Sequence, residues 1–505
     1  MTKTQVYTAK VSLIVAIGGF LMGFDASVIS GVNKFIEAQF SLSSIELGWA
    51  VSSLTLISTL AMAVAGPLST KFGRRTVLKW AATLYAISAV GSALAPSFVF
   101  LVIARMIGGL GVGASLIIAP MYIAEICPPN LRGRMVSINQ LNIVTGISVA
   151  FFTNYLILQL SQSDSAWVQS LGIDVHQWRW MLGLEAVPAI LYFGLLFGVP
   201  QSPRWLIMQS KNDIAFKVLK KFSNEEQASK DFEAIKESVK NKPKKEKVPL
   251  RELFKPALKL VLTIGIVIAV LQQITGINSV FFYAPMIFEQ TGIGTDASFS
   301  MAILVGLTNL VFTVVAIMFI DRFGRKVLLV FGLSGIALSP DKIEKLPEHV
   351  YKTLATKLVG TQYNSDITYK KAIIVTYGEK EAKKVESDLI TAGITMNSWL
   401  ILMGIIGFVA SFAVSLGPVM WVLFSELFPN AIRGVAISFA GFFNSGVSFL
   451  VQLIFPWELD TIGTAPTFLI YGIFAAVGLV FIILKLPETK NKSLEELEAI
   501  LVKEK

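Results

Sequence analysis

Four uncharged polar side chains lie close together inside a long apolar run between residues 271 and 285. The run reads LQQITGINSVFFYAP and carries Gln272, Gln273, Thr275 and Asn278. An amide in hydrocarbon is costly unless it is paired or lines a wet cavity, so several amides on one segment indicate a binding site. Amides offer donors and acceptors without net charge, which suits a neutral, hydroxyl-rich ligand.

Gly276 and Pro285 weaken a regular helix at the same place. A broken membrane helix beside polar side chains is a recurring arrangement at substrate sites. The alternative is a helix-packing face that is held together by interhelical amide hydrogen bonds. The segment alone does not decide between the two interpretations.

Three ionisable side chains, Asp25, Arg105 and Glu185, also lie inside apolar runs. At about 1.5 Å per residue, all three come out about 7 to 11 Å below the outer membrane surface, so they can meet. We expect Asp25 and Arg105 to pair or to face water, because a lone charge in hydrocarbon is costly. Protonation of the carboxylate would release Arg105, which makes it a proton-coupling candidate. The alternatives are a permanent salt bridge and, for Glu185, a solvated position nearer the interface.

Composition indicates that these residues belong to a membrane protein. Of the 505 residues, 54% are hydrophobic and 15% are charged, and the mean hydropathy is +0.65. Apolar runs of about 20 residues, long enough to cross a bilayer, recur along the chain. We predict an all-α membrane protein with twelve transmembrane helices, near residues 11–29, 47–67, 77–95, 98–123, 136–158, 180–199, 260–288, 301–320, 327–339, 399–424, 435–455 and 466–486.

The two halves of the chain repeat each other. KFGRR at 71–75 matches RFGRK at 322–326, and GFD at 23–25 matches GIN at 276–278. Two six-helix bundles in parallel repeat are typical of transporters whose substrate lies between the halves near mid-membrane. The predicted domains are an N-terminal bundle (1–200), a cytoplasmic helical linker (201–256), a C-terminal bundle (257–486) with an extracytoplasmic insertion at about 340–387, and a cytoplasmic tail (487–505).

Basic loops recur on one side of this topology, which predicts that they and both termini face the cytoplasm. In each half a carboxylate is followed seven residues later by an arginine, as Glu125 is by Arg132. This recurrence predicts an ion network in each half that stabilises the outward-open state, whereas the alternative is that the arginines only set the topology. The predicted members are Arg74, Arg75, Glu125 and Arg132 in the first half, and Arg325, Glu426 and Arg433 in the second.

An ordered set of motifs covers essentially the whole chain outside the insertion. The motifs are GGFLMGFDASVISG (18–31), KFGRR (71–75), RMIGGLGVG (105–113), PMYIAEICPPNLRGR (120–134), PQSPRWL (200–206), QQITGINSVFFYAP (272–285), DRFGRK (321–326), GPVMWVLFSELFPNAIRG (417–434) and LPETK (486–490). In these motifs the chain resembles the sugar porter family of the major facilitator superfamily. Such an ordered set is highly specific.

The resemblance implies a monosaccharide transporter that works by alternating access. Amides suit sugar hydroxyls, and an indole offers a flat apolar face to the C–H side of a sugar ring. An aspartate at position 25 with an arginine at 105 is similar to the proton symporters of the family, since facilitative animal carriers have asparagine there. The implied sugar contacts are Gln140, Gln272, Gln273, Asn278, Asn309, Trp421 and Asn444.

Three positions depart from the family pattern. Ile147, Gln201 and Ser445 stand where relatives have glutamine, glutamate and tryptophan, respectively. The pocket should therefore be less tight around one face of the sugar, and the sugar itself stays unnamed. Gln201 also weakens the expectation for one arm of the ion network.

The sequence therefore predicts a proton symporter that imports a hexose or pentose across the cell membrane. A facilitative uniporter and a nontransporting sugar sensor remain alternatives. Cys127 is the single cysteine and only two histidines are present, so no metal is expected. We also expect no other cofactor, no enzymatic activity, no nucleic-acid partner and function as a monomer.

Overall fold

The computed structural model describes residues 3–127, 129–240, 250–291, 293–338, 372–375, 398–429 and 432–489, and this part of the chain contains helices but no β-strand. Helices suit apolar runs because every backbone polar group is satisfied within the segment. The helices of the N-terminal half are α1 (Lys3–Phe40), α2 (Ser44–Phe72), α3 (Arg74–Ala93), α4 (Phe98–Ile126), α5 (Pro129–Ser161), α6 (Ala166–Ser170), α7 (Gln177–Gly183) and α8 (Ala186–Leu195).

Three short helices follow, α9 (Pro203–Met208), α10 (Asn212–Phe222) and α11 (Glu225–Lys240), and two 3-10 turns lead into the second half. Its helices are α12 (Lys259–Ile274), α13 (Ile277–Glu289), α14 (Thr295–Phe323), α15 (Arg325–Leu338), α16 (Ser398–Val414), α17 (Leu416–Leu427), α18 (Arg433–Thr461) and α19 (Thr464–Lys485). The helices predicted between the two halves are therefore present.

Nine helical stretches within the described residues are long and apolar enough to cross a bilayer. The other three predicted spans appear as the 20-residue α3, the 14-residue α15 and the pair α7 and α8, which is interrupted at residues 184–185. Together they account for the twelve predicted spans. The end of the ninth span and the 340–387 insertion lie outside the described residues, except for a helical turn at 372–375.

The distribution of side chains is that of a protein in lipid. Leu484 and Met318 expose 71% and 70% of their surface, whereas Asp25 and Arg105 expose 1% and 2%. This distribution suits a protein in lipid. Burying apolar side chains between helices gains no hydrophobic free energy there, whereas polar side chains are costly on the lipid-facing surface.

The chain divides into two compact units. The first contains Met1–Ala26, Ser53–Ala150 and Arg179–Lys247, and the second contains Ser27–Ser52, Phe151–Trp178 and Val248–Lys505. In the first unit, α9 and α10 contribute Leu206 and Phe222 to the apolar core that also holds Val11 and Ile126. The domain boundaries given by the internal repeat stay a prediction.

Helices α12 and α13 are the two parts of one interrupted span. Gly276 separates them with a φ of +84°, and a Cβ at this position would lie 2.2 Å from the ring of Tyr471. Only glycine combines this conformation with so close a contact. A second kink occurs at Tyr283, two residues before Pro285, where φ is −129° and ψ is 15°. The interruption places the C-terminal end of α12 beside the first turn of α13.

Candidate functional site

Gln272, Gln273 and Asn444 form a hydrogen-bonded cluster in the second unit. Asn444 Nδ2 donates to Gln272 Oε1 at 2.6 Å and to the Ala269 carbonyl at 2.9 Å. Gln273 Nε2 lies 3.3 Å from both Gln272 Oε1 and Asn444 Oδ1. Gln272 Nε2 donates to the Leu416 carbonyl at 3.0 Å. The cluster therefore joins α12, α17 and α18.

Asn278 extends this cluster across the interruption at Gly276. Its Nδ2 donates to Gln273 Oε1 and to Ser448 Oγ, each at 2.7 Å. Gln452 Nε2 donates to the same Ser448 oxygen at 2.8 Å. Asn444, Ser448 and Gln452 follow one another at intervals of four on α18, so they share a face of that helix. We call these six residues, from Gln272 to Gln452, the amide cluster.

The sequence analysis missed Ser448 and Gln452. Three polar residues at i, i+4 and i+8 in an otherwise apolar helix are the signal that could have found them, because such a row must lie on one buried or wet face. The segment has features of both alternative interpretations. The amides connect helices, and Gln273 and Asn278 nevertheless stay partly exposed.

Three other predicted sugar contacts are placed differently. Gln140 lies on α5 in the first unit and is partly exposed. Asn309 is buried on α14, and within the described residues no hydrogen bond connects it to the amide cluster. Trp421 lies on α17 with 47% of its surface exposed, and its ring meets Phe424 edge to face at 6.0 Å.

Asp25 and Arg105 form a buried ion pair in the first unit. Arg105 Nη1 donates to Asp25 Oδ1 at 3.2 Å, and Nη2 lies 3.5 Å from the Asp25 carbonyl oxygen. The second carboxylate oxygen, Oδ2, is buried and has no hydrogen-bond partner among the described residues. A Cβ at Gly108 would lie 3.0 Å from this oxygen, so the glycine leaves the carboxylate room. Half of the carboxylate is thus available to a proton.

Glu185 lies where α7 and α8 are interrupted, and only 2% of it is exposed. It interacts electrostatically with both Asp25 and Arg105. Because the side chain is buried, the alternative of a solvated Glu185 is wrong. The fully buried Tyr85 on α3 interacts electrostatically with both carboxyl groups, and no sequence pattern pointed to this tyrosine.

The first ion network connects Arg74 to Glu125. Arg74 Nε and Nη2 donate to the two carboxylate oxygens of Glu125 at 3.0 and 2.9 Å, a bidentate arrangement. Ser202 Oγ donates to the same carboxylate. Arg75 takes part through its backbone N–H, which lies 3.3 Å from Gln201 Oε1.

The second ion network repeats this arrangement. Arg325 Nη2 donates to Glu426 Oε1 at 2.7 Å, and Thr489 Oγ1 donates to Glu426 Oε2 at 2.7 Å. The two oxygens of Glu488 accept from the backbone N–H groups of Arg325 and Lys326, each at 3.0 Å. The side chains of Arg132 and Arg433, which we predicted as members, lie outside the described residues. The sequence signal for Ser202 and Thr489 is the repeated proline, amide or acid, and hydroxyl at 200–202 and 487–489.

Comparison with known proteins identifies the family. A model of the family described as "Sugar (and other) transporter" matches residues 11–339 and 378–501. The chain belongs to this family of sugar transporters. Among its relatives, the transporter is 35% identical over 497 residues to the arabinose-proton symporter of Bacillus subtilis, with 98% of this chain and 96% of the relative covered.

Two further relatives show how widely the match extends. The transporter is 34% identical over 526 residues to the D-xylose-proton symporter of Escherichia coli K12, covering 98% of this chain and 96% of the relative. It is 32% identical over 489 residues to the glucose transporter GlcP of Staphylococcus epidermidis, covering 96% and 95%.

Among solved structures, the inward-open xylose transporter XylE of Escherichia coli is similar with a TM-score of 0.75 and 32% identity, over 98% of this chain and 100% of that chain. The sugar transporter is therefore a multi-pass membrane protein with the major facilitator fold. It is a transporter and not an enzyme.

Proposed function

We propose that the protein imports a monosaccharide, a hexose or a pentose, together with a proton through alternating access. It acts in the cell membrane with both termini in the cytoplasm. The relatives are named for arabinose, xylose and glucose, which supports a sugar of this size and leaves the choice between them open.

The amide cluster supports the sugar part of the proposal. The amide and hydroxyl groups of the cluster can bond to water when no sugar is present and to sugar hydroxyls when one binds. Neither state buries a charge. Gln273 and Asn278 stay accessible enough to make this exchange. Gln140 and Asn309 complete the proposed contacts by family resemblance, and the exposed indole of Trp421 supplies an apolar face for the ring.

The half-paired carboxylate of Asp25 is the observation that carries the proton part of the proposal. When Asp25 is ionised, Arg105 is held by charge as well as by the 3.2 Å hydrogen bond. When Oδ2 takes a proton, the charge attraction is lost, and the guanidinium can turn toward the carboxyl group of Glu185. The ion pair then favours one arrangement of the transporter and the protonated form favours another.

The two ion networks give the proposed cycle a second point of control. Each network contains a buried or half-buried carboxylate that is saturated by an arginine and a hydroxyl. We propose that these bonds stabilise the outward-open state and break as the transporter opens inward. The free energy needed to break these bonds then determines the lifetime of the outward-open state.

Uptake by reconstituted vesicles tests the proposed function. Labelled D-xylose, L-arabinose and D-glucose would be offered with and without an inward proton gradient, and at least one should accumulate above equilibrium only with the gradient. Asp25→Asn should abolish accumulation while sugar exchange without a gradient persists. Asp213→Asn, the same substitution at an exposed site on α10, should change neither measurement.

The outcomes separate the alternatives. Gradient-independent equilibration by the wild-type protein would make it a facilitative uniporter. Binding without any flux would make it a sensor. Unchanged uphill uptake by Asp25→Asn would refute the coupling role of this carboxylate.

A further inference from the structure

Ser448 uses its hydroxyl differently from two serines at comparable places in the transmembrane helices, Ser148 and Ser334. Ser148 and Ser334 donate to the carbonyl four residues earlier in their own helices, at 3.0 and 2.8 Å. This backbone bond is the usual choice for a serine inside a helix. Ser448 Oγ instead accepts two hydrogen bonds, one from Asn278 and one from Gln452.

The two bonds that Ser448 accepts determine what its own proton can do. A hydroxyl group has two acceptor lone pairs and one donor hydrogen. Amide nitrogens occupy both acceptor directions at 2.7 and 2.8 Å, and within the described part of the chain Ser448 donates to no other group. The proton is therefore left for a group outside the described residues, and a bound ligand is such a group.

The neighbouring Asn278 has the complementary capacity. Both protons of its Nδ2 are used, by Gln273 Oε1 and by Ser448 Oγ. Its Oδ1 accepts no hydrogen bond from the described residues, so it can accept one from a ligand. A free donor and a free acceptor on two residues joined by a 2.7 Å hydrogen bond match two adjacent hydroxyl groups of a sugar.

We propose that Ser448 is a specificity-determining sugar contact, which donates to one sugar oxygen while Asn278 accepts from the next hydroxyl. Gln452 is its positioning residue. By donating to Ser448 Oγ, Gln452 prevents that hydroxyl from turning toward the backbone of α18. Gln452 is fully buried, and its backbone carbonyl accepts from Tyr283 Oη at 2.9 Å, which holds this turn of α18 in place. This inference rests on the proposed sugar transport.

The experiment compares a transported sugar with analogues that lack one hydroxyl group. Whichever of D-xylose, L-arabinose and D-glucose the vesicles take up would be competed with its monodeoxy and monodeoxyfluoro derivatives. At one ring position, removal of the oxygen should weaken competition in the wild-type protein about threefold to tenfold, the usual value of one hydrogen bond. In Ser448→Ala the same analogue should compete as well as the parent sugar, because the partner group is gone.

Two further variants separate contact from folding. Gln452→Met keeps the length of the side chain but removes the donor, so it should reduce discrimination at that same ring position and at no other. Ser334→Ala is the matched control, since its hydroxyl is bonded to its own helix. It should keep the wild-type pattern. Thermal unfolding in detergent would identify any variant that does not fold. If Ser448→Ala does not fold, the discrimination measured with Gln452→Met tests the role of Ser448.

The failures of the two proposals differ. If the wild-type protein takes up none of the three sugars, the proposed function is wrong and this inference falls with it. If the wild-type protein transports a sugar but Ser448→Ala and Gln452→Met discriminate among the analogues as the wild type does, only the role of Ser448 is wrong.

Discussion

The side chains of Gln201 and Glu488 occupy equivalent positions in the two halves. Gln201 contacts the N-terminus of α3 and Glu488 contacts the N-terminus of α15, the helices that follow the two basic loops. Gln201 offers one oxygen to the N–H of Arg75 at 3.3 Å, whereas Glu488 offers two oxygens to the N–H groups of Arg325 and Lys326 at 3.0 Å each. The residue after each donates its hydroxyl to the carboxylate of that network. The first network thus has a neutral amide where the second has a charge.

We expect Gln201→Glu to stabilise the first network. A carboxylate at the N-terminus of α3 would face the positive end of the helix dipole, worth about 0.3–1 kcal/mol. Glu488→Gln should lower stability by a similar amount in the second network. Thermal unfolding of the purified transporter measures both changes, and opposite signs to these would contradict the equivalence of the two positions.

We expect Gly108→Ala to uncouple sugar flux from the proton gradient. The added Cβ would lie 2.5 Å from Ser88 Oγ and 3.0 Å from Asp25 Oδ2, so the carboxylate must shift relative to Arg105. Proton-driven accumulation should fall several-fold more than exchange without a gradient. Gly66→Ala on α2 is the control, because no atom lies within 4 Å of its added Cβ. Equal behaviour of the two variants would show that the space beside Asp25 is unimportant.

We expect Gly276→Ala to abolish sugar binding and to destabilise the second unit. A left-handed backbone at a non-glycine residue costs about 1–3 kcal/mol, and the new Cβ would also overlap the Tyr471 ring. Gly441→Ala on α18 introduces the same methyl group into open space. The measurements are thermal unfolding and binding of the transported sugar, and wild-type values for Gly276→Ala would rule out a required interruption at this residue.

We expect the ion pair of Lys34 and Glu289 to govern the rate of transport. Lys34 Nζ lies 3.0 Å from Glu289 Oε1, and Asn33 Nδ2 donates to the Phe282 carbonyl at 2.8 Å, so α1 is tied to α13 within the second unit. Lys34→Glu and Glu289→Lys should each slow sugar exchange several-fold by placing like charges together. The double exchange of charges should recover at least half of the rate. If the double variant instead shows the sum of the two single losses in rate, the ion pair has no role in transport.

Much of the fold could be predicted from the sequence because a bilayer imposes length and polarity on each span. The interruption near Gly276 was predictable for a similar reason, since glycine, proline and amides coincide there. The burial of Glu185 could not be decided, because its place near one end of a predicted span allowed either a buried or a solvated side chain. Nor could the partner of Lys34 be found, since Glu289 is 255 residues away and nothing local distinguishes it from other acids.

Among the candidate site residues, those close together in sequence were predictable and those far apart were not. Gln272, Gln273 and Asn278 lie within seven residues of one another, so their contact could be predicted from local structure alone. Asn444 and Ser448 reach them from about 170 residues away. Their spacing on α18 could have shown that they share a face, but which helix that face meets depends on packing.

The left-handed backbone at Gly276 has a mechanical consequence. A span that is interrupted at this glycine loses only the few backbone hydrogen bonds that cross the interruption, while α12 keeps its own bonds and α13 bends again only at Tyr283. We expect the angle between α12 and α13 to change at this residue without unwinding of either helix, while Gly276 stays packed against the ring of Tyr471. Such a change of angle would move the proposed sugar contacts on α13 with little repacking of the surrounding helices.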